Sequence, residues 1–219
     1  MKKRFNTTGS CNPEWHYMVD TSAKLAKIEE YIDDGLYFTI NRARQFGKTT
    51  TLKALYRRLL DRYHVIPISF EVGGVVNDKV EDFCRNFEFK MSKAGGMTSE
   101  QSDFWLNKDK STSLEELSLK ITTYCKLQSK PVLLLIDEVD KSTNNQLFLD
   151  FLGMLRNNYL DRDINGLNST FHSVILAGVY DVKNLKLKIR PESEQKYNSP
   201  WNIAIRFNVD MTFHPEEIV

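Results

Sequence analysis

Cysteine is scarce, with three in a chain of 219 residues. Cys11, Cys84 and Cys125 are widely spaced and odd in number, with no C-x-x-C pair and no histidines at ligand spacing. That excludes a disulfide scaffold and the common zinc modules, and leaves reduced, mostly buried thiols. Long apolar runs are missing as well. No stretch approaches the roughly 20 apolar residues of a membrane-spanning helix, and the basic opening "MKKRFNTTGS" leads into no apolar signal core. A cytoplasmic protein with no membrane contact is expected. Charge of one sign is lacking too. Thirty lysines and arginines stand against 29 aspartates and glutamates, so no global field draws the chain to nucleic acid or anionic lipid. Any role on DNA has to be local or supplied by a partner.

What is present is an ordinary globular composition, 41% apolar and 27% charged, enough for one sizeable core. Neither an internal repeat nor a low-complexity segment interrupts it. Strand-like runs alternate with helical patterns, which argues for βαβ units and a largely parallel sheet. A helix is expected after Asp20, with Leu25, Ile28 and Ile32 on one face and Gly35 past its end. "LYFTI" follows as a strand. Leu52, Leu55, Tyr56, Leu59 and Leu60 then repeat at helical spacing, and "HVIPISFEV" reads as a strand whose Pro67 favours the sheet edge. Val80, Phe83, Phe87 and Met91 mark another helix, which runs into "KAGGMTSEQSDFWLNKDKSTS", the most loop-like segment. Ser113 with Glu116 suggests a capping box for a helix reaching about Leu127. "VLLLI" is apolar on both faces, as a central parallel strand should be. An amphipathic helix carrying Leu147, Phe148, Phe151, Leu152, Leu155 and Tyr159 comes next, then the polar turn "DRDINGLNST" and the strand "SVILAGV". "RFNVDMTFHPEEIV" reads as a strand and a helix start, with Pro215 suited to the first turn.

The stretch "INRARQFGKTTTLK" lies between a strand and a helix. The phosphate-binding loop G-x-x-x-x-G-K-[ST] works because backbone N–H groups, a helix N-terminus and one lysine face the same anion. Gly47, Lys48 and Thr49 fit it, while Arg42 stands where the first glycine belongs. In this reading Lys48 reaches the β- and γ-phosphates, the Thr49 hydroxyl ligates Mg²⁺, and Gly47 allows close backbone approach. Arg42, Ala43, Arg44, Gln45, Phe46 and Gly47, with Lys48, Thr49 and Thr50, make up the candidate cradle. A chance "GKT" at a helix start is the alternative.

In "PVLLLIDEVDK" an apolar strand ends in Asp137 and Glu138. Such a pair, a Walker B element, divides its work: one carboxylate holds the magnesium shell and the other polarises a water for attack on the γ-phosphate. Asp137 is assigned the metal and Glu138 the water, with Asp140 a weaker candidate for either. Two acids closing a strand also suit a solvated turn, but not readily downstream of a phosphate loop in an alternating chain.

"FNTTGSCNPEWHYMVDTS", "YFTINRARQFGKTTTL", "PVLLLIDEVDK" and "SPWNIAIRFNVDMTF" together resemble the bacterial AAA-like, predicted-ATPase family, over nearly the whole chain. Its phosphate loops often read R-x-R-x-[FY]-G-K-[ST], so arginine at position 42 is a family habit. The resemblance implies an α/β P-loop NTPase fold of the ASCE type, three layers around a mainly parallel five-stranded sheet. "SVILAGV" is then the strand inserted between the phosphate-loop strand and the Walker B strand. A polar sensor is expected at its end from Tyr180, Asp181 or Asn184; Asp181 is chosen, with a plain turn acid as the alternative. "NPEWHYMVD" lines the adenine pocket by the same analogy, with Tyr17 and His16 as candidates, although core packing explains such aromatics equally well. Arg42 and Arg44 touch phosphate or a neighbouring subunit, or are solvated. The resemblance divides the chain into an N-terminal segment and first helix, 1–35, packed on the nucleotide site, and a core, 36–219. The family's helical lid and nuclease-like C-terminal domain are not found, which resembles a core cut short.

Two outputs are consistent with these residues: Mg²⁺-dependent ATP hydrolysis, and a nucleotide-gated switch with little turnover acting on a protein partner or a further domain. Self-association is a further possibility for the partner surface. A third reading takes Lys53, Arg57, Arg58 and Arg62, along one helix, as a nucleic-acid contact, against simple solvation.

Overall fold

The computed structural model describes residues 4, 14–17, 20–41, 48–70, 79–107, 109–139, 146–178 and 205–206, with backbone alone for 41, 48, 205 and 206. The elements run α1 (Ser22–Asp33), β1 (Tyr37–Asn41), α2 (Lys48–Leu59), β2 (His64–Ser69), α3 (Val80–Ser92), α4 (Ser99–Leu106), α5 (Leu114–Leu127), β3 (Val132–Asp137), α6 (Gln146–Leu160), α7 (Arg162–Asn165), β4 (Ser173–Gly178) and β5 (Ile205–Arg206). Among the described residues no helix is long and apolar enough to cross a membrane.

The strands lie in the order β2-β3-β4-β1-β5 and every pairing is parallel. β4 therefore separates β1 from β3, as expected of "SVILAGV". Five of the six residues of β3 and all six of β4 are buried, the consequence of helices covering both faces of a parallel sheet. β2 forms one edge, and Pro67, opposite Leu135, sits where a missing N–H is tolerated.

Alternation along the strands splits the core in two. On one face Leu133, Leu135, Ile175, Phe38 and Ile40 meet Leu25, Ile28 and Ile32 of α1 and Leu52, Leu55 and Leu59 of α2. On the other, Leu134, Ile136, Val174 and Leu176 meet α3, α4, α5 and α6. Phe83, Phe87, Phe148 and Phe151 are its ring cluster, with the Phe87 and Phe151 centroids 4.9 Å apart. Each buried aromatic side chain contributes about 1.5–3 kcal/mol by leaving water. α1 is further tied to α2 by Arg58, which donates to Glu29, and to the turn after α2 by Arg62, which donates to Asp33 and Glu29.

Two segments expected to be loops hold helices. The double-glycine stretch contains α4, because Thr98 and Gln101 close a full capping box and Trp105 is completely buried. The turn after α6 contains α7 and a short 3-10 turn, Leu167–Ser169. The expected box at Ser113 is half made. Ser113 Oγ accepts the Glu116 N–H at 3.2 Å, but the Glu116 carboxylate turns back to Thr112 N and Oγ1. The segment between α4 and α5 is fastened by the buried carboxylate of Glu88, which accepts from Ser111 N, Ser111 Oγ and Lys120 Nζ. Cys84 and Cys125 are buried and free, and burial pushes the Cys84 thiol up to about 12. Cys11 and most of the C-terminal strand-and-helix segment lie outside the described residues.

Candidate functional site

Parallel pairing brings the strand ends to one edge of the sheet. Asn41, the last residue of β1, stands opposite Gly178, the last of β4, and Ser69, the last of β2, stands opposite Asp137, the last of β3. This is the edge where ligands of open α/β sheets bind, at a change in strand order. α2 begins at Lys48 on the other side of residues 42–47, so its N-terminus belongs to the same edge.

The first turn of α2 meets the end of β3 directly. Thr49 Oγ1 donates to Asp137 Oδ2 at 3.0 Å. The other carboxylate oxygen, Asp137 Oδ1, accepts the N–H of Glu138 at 2.9 Å, and the Asp137 main-chain carbonyl accepts the N–H of Phe70 at 3.2 Å. Asp137 is thus held from three sides. Glu138 follows with φ of 59°, and it alone among the described non-glycine residues has a positive φ. That left-handed conformation costs a side chain with a Cβ roughly 1 kcal/mol or more, and strain of this kind tends to collect at functional sites. Val139, fully buried, fastens the chain just beyond.

A hydroxyl and a carboxylate 3.0 Å apart at an accessible edge are hard oxygen donors, the set that suits Mg²⁺ completed by water and phosphate oxygens. Thr49 is exposed and Asp137 half-buried, so both are within reach of a ligand. The residues present therefore fit the metal.

The sequence-derived candidates divide as follows. Thr49, Asp137 and Glu138 come together as described, and Thr50 sits half-buried in the same turn. Lys48 opens α2. Arg42, Ala43, Arg44, Gln45, Phe46 and Gly47, together with Asp140, Tyr180, Asp181 and Asn184, lie outside the described residues. Tyr17 is 38% exposed and His16 buried; their stretch pairs with Arg4, whose carbonyl accepts the Tyr17 N–H at 3.1 Å. Of the basic residues expected along one helix, Arg58 lies on α2 but Arg62 falls in the turn past its end, and both are engaged by carboxylates of α1, which reduces the charge available to a phosphate backbone.

Sequence reasoning passed over Phe70 and Lys90. Lys90 Nζ donates to the Ser69 carbonyl at 2.8 Å and stands 5.6 Å from the centre of the Phe70 ring. Loss of water holds its pKa below the usual lysine value. The Phe70 ring packs against Phe83 of α3 and Phe148 of α6. Only the apolar end of "HVIPISFEV" hinted at Phe70, and nothing in the local pattern singles out Lys90 from other helical lysines.

Residues 9–189 match the family model described as the AAA-like domain. No curated protein matches the chain. Among solved structures, the Walker-type ATPase paby2304 of Pyrococcus abyssi is similar with a TM-score of 0.53 at 15% identity, over 94% of this chain and 58% of that one. Cdc6p from Pyrobaculum aerophilum is similar with a TM-score of 0.52 at 15% identity, over 86% of this chain and 45% of that one. The chain spans about half the length of these two structures. At these identities the likeness is one of fold, that of the P-loop ATPases.

Proposed function

The chain belongs to the AAA-like domain family and forms a P-loop ATPase module, and on that footing we propose that it binds ATP with Mg²⁺ and hydrolyses the γ-phosphate. The observation that carries this reading is the 3.0 Å bond between Thr49 Oγ1 and Asp137 Oδ2, which joins the phosphate-loop helix to the acid-bearing strand.

In this reading the N–H groups of residues 42–47 and the N-terminus of α2 cradle the phosphates, and the Lys48 amine sets the β- and γ-oxygens in place. Thr49 Oγ1 and the Asp137 carboxylate hold Mg²⁺, which when bound offsets charge on the β- and γ-phosphate oxygens. Glu138 orients a water in line with the leaving oxygen and takes its proton as the new P–O bond forms and the bond to ADP breaks. Asp181, following β4, senses the γ-phosphate, Arg42 and Arg44 contact phosphate or a neighbouring subunit, and Tyr17 lies against the base. A protein partner or a second copy receives the output; nucleic acid is left open.

Phosphate release and ATP binding by wild type, Lys48→Ala and Glu138→Gln test this. Wild type should release phosphate only with Mg²⁺, Lys48→Ala should lose binding, and Glu138→Gln should bind ATP but turn over roughly 10²–10⁴-fold more slowly. Wild type that neither binds nor hydrolyses ATP would defeat the reading. The strained φ of Glu138 favours a second one, a switch whose output is a conformational change. Equal ATP binding by wild type and Glu138→Gln, with neither releasing phosphate, would select it.

A further inference from the structure

We infer that Lys90 is a positioning residue for the acidic pair, setting Asp137 and Glu138 from α3 through the end of β2. The inference rests on the ATPase reading above and adds a residue to that site. Lys90 Nζ donates to the main-chain oxygen of Ser69 at 2.8 Å and lies 5.6 Å from the centre of the Phe70 ring. These are two grips on two successive residues. Ser69 is in register with Asp137, and the N–H of Phe70 donates to the Asp137 carbonyl at 3.2 Å. The peptide fixed by Lys90 is therefore the one that fixes Asp137. From there the path has one step in each direction. Asp137 Oδ2 takes the Thr49 hydroxyl and Asp137 Oδ1 takes the N–H of Glu138, whose φ of 59° needs an outside hold to persist.

The physical weight lies in the amine. A charged donor to a carbonyl is stronger than a neutral one, and an ammonium within about 6 Å of an aromatic face gains further when partly stripped of water. Among the described residues β2 has a strand neighbour on one side only, β3, so the end of β2 gains from a hold on its other side. Lys90 supplies that hold where β2 passes its register to Asp137. A sulfur-tipped stem would fill the same space and cover the same ring but take the charged donor away from the Ser69 carbonyl. A misplacement of catalytic groups by a fraction of an ångström lowers rate more than affinity.

The test compares wild type, Lys90→Met and Lys90→Arg by ATP affinity, steady-state phosphate release, melting temperature and exchange of the Phe70 amide. Lys90→Met should bind ATP within about twofold of wild type, melt within a few degrees of it, and turn over about tenfold more slowly. Lys90→Arg, which keeps a charged donor, should recover most of that rate. The Phe70 amide should exchange about tenfold faster in the Met variant and return toward wild type in the Arg variant. Unchanged turnover in Lys90→Met would overturn the inference, as would equal losses of rate, affinity and melting temperature in both variants, which mark a plain packing role. If wild type itself releases no phosphate, the ATPase reading falls separately. Exchange at Phe70 then decides on Lys90: acceleration in the Met variant alone supports the hold, and no change overturns it.

Discussion

Thr49 and Asp137, 88 positions apart in the chain, share a 3.0 Å hydrogen bond from the first turn of α2 to the last residue of β3. The bond ties the first turn of a helix to a central strand and sets a hydroxyl and a carboxylate oxygen side by side, donors of the kind that suit Mg²⁺ in the proposed reading. Asp137→Asn should keep the fold, since an amide occupies the same volume, and should lose Mg²⁺-dependent phosphate release by 10² or more, because the charge facing the ion is gone. Thr49→Val removes one partly exposed hydrogen bond, so its cost to stability should stay at about 1 kcal/mol or below while the Mg²⁺ concentration needed for turnover rises. Urea unfolding and a Mg²⁺ titration of phosphate release check both.

Glu138 separates backbone strain from chemistry. Glycine adopts its φ of 59° without a Cβ penalty. Glu138→Gly should therefore melt at or above wild type while losing turnover as completely as Glu138→Gln. Glu138→Val, β-branched at a left-handed position, should lose about 1–2 kcal/mol. A melting series in the order Gly, Glu, Val is the expected outcome; a glycine variant that melts well below wild type would contradict it.

Gly35 and Arg162 make a matching test at the opposite end of the strands. Gly35 has φ of 66°, and a Cβ there would stand 3.3 Å from Arg162 Nη1 and from His172 Cε1. Arg162, itself buried, donates to the carbonyls of Gly35 and His172 and stacks 3.9 Å from the Tyr159 ring centre. Gly35→Ala should cost about 1–2 kcal/mol through backbone strain, and Arg162→Met about 2–4 kcal/mol because one buried and one half-buried carbonyl lose their donor. ATP affinity should hold in both variants at temperatures where they are folded. Denaturant titration with a parallel binding isotherm measures this.

How much of this was legible in the sequence differs element by element. The continuous apolar runs of β3 and β4 announce buried parallel strands, and the spacing of Leu25, Ile28 and Ile32 announces α1, because one-dimensional periodicity reports burial directly. Pro67 marks an edge strand for a local reason. The placement of "SVILAGV" between β1 and β3 came from family resemblance, since order in a sheet has no local signal. α4 was hidden because the two glycines just before it and its polar residues outweigh a capping box whose partners, Thr98 and Gln101, are easily missed, and because Trp105 is anchored by tertiary packing. Thr49, Asp137 and Glu138 were readable as motif residues. Phe70 and Lys90 were not, because their relation to Asp137 exists only across a strand pair and a helix crossing.

Two histidines set the expected pH dependence of stability. Burial holds His172 below its ordinary value, with its bond to the Ile32 carbonyl pulling the other way, and burial with Lys130 nearby does the same to His64. Their folded-state values thus lie under the 6.5 of the free side chain, so between the two values the unfolded chain binds more protons than the folded one. Stability then rises with pH across that window; it is fully present above about 6.5 and is lost as pH falls toward the folded values, with a slope of at most about 1.4 kcal/mol per pH unit for each histidine. Asp33, where burial is more than offset by bonds from Tyr63 and Arg62, loses its contribution only in the carboxylate range, below this window. A urea midpoint that climbs from pH 5 to pH 7 and then levels is expected. His172→Gln, which can keep a donor toward Ile32, should flatten part of that climb, and an unchanged slope in this variant would assign the dependence elsewhere.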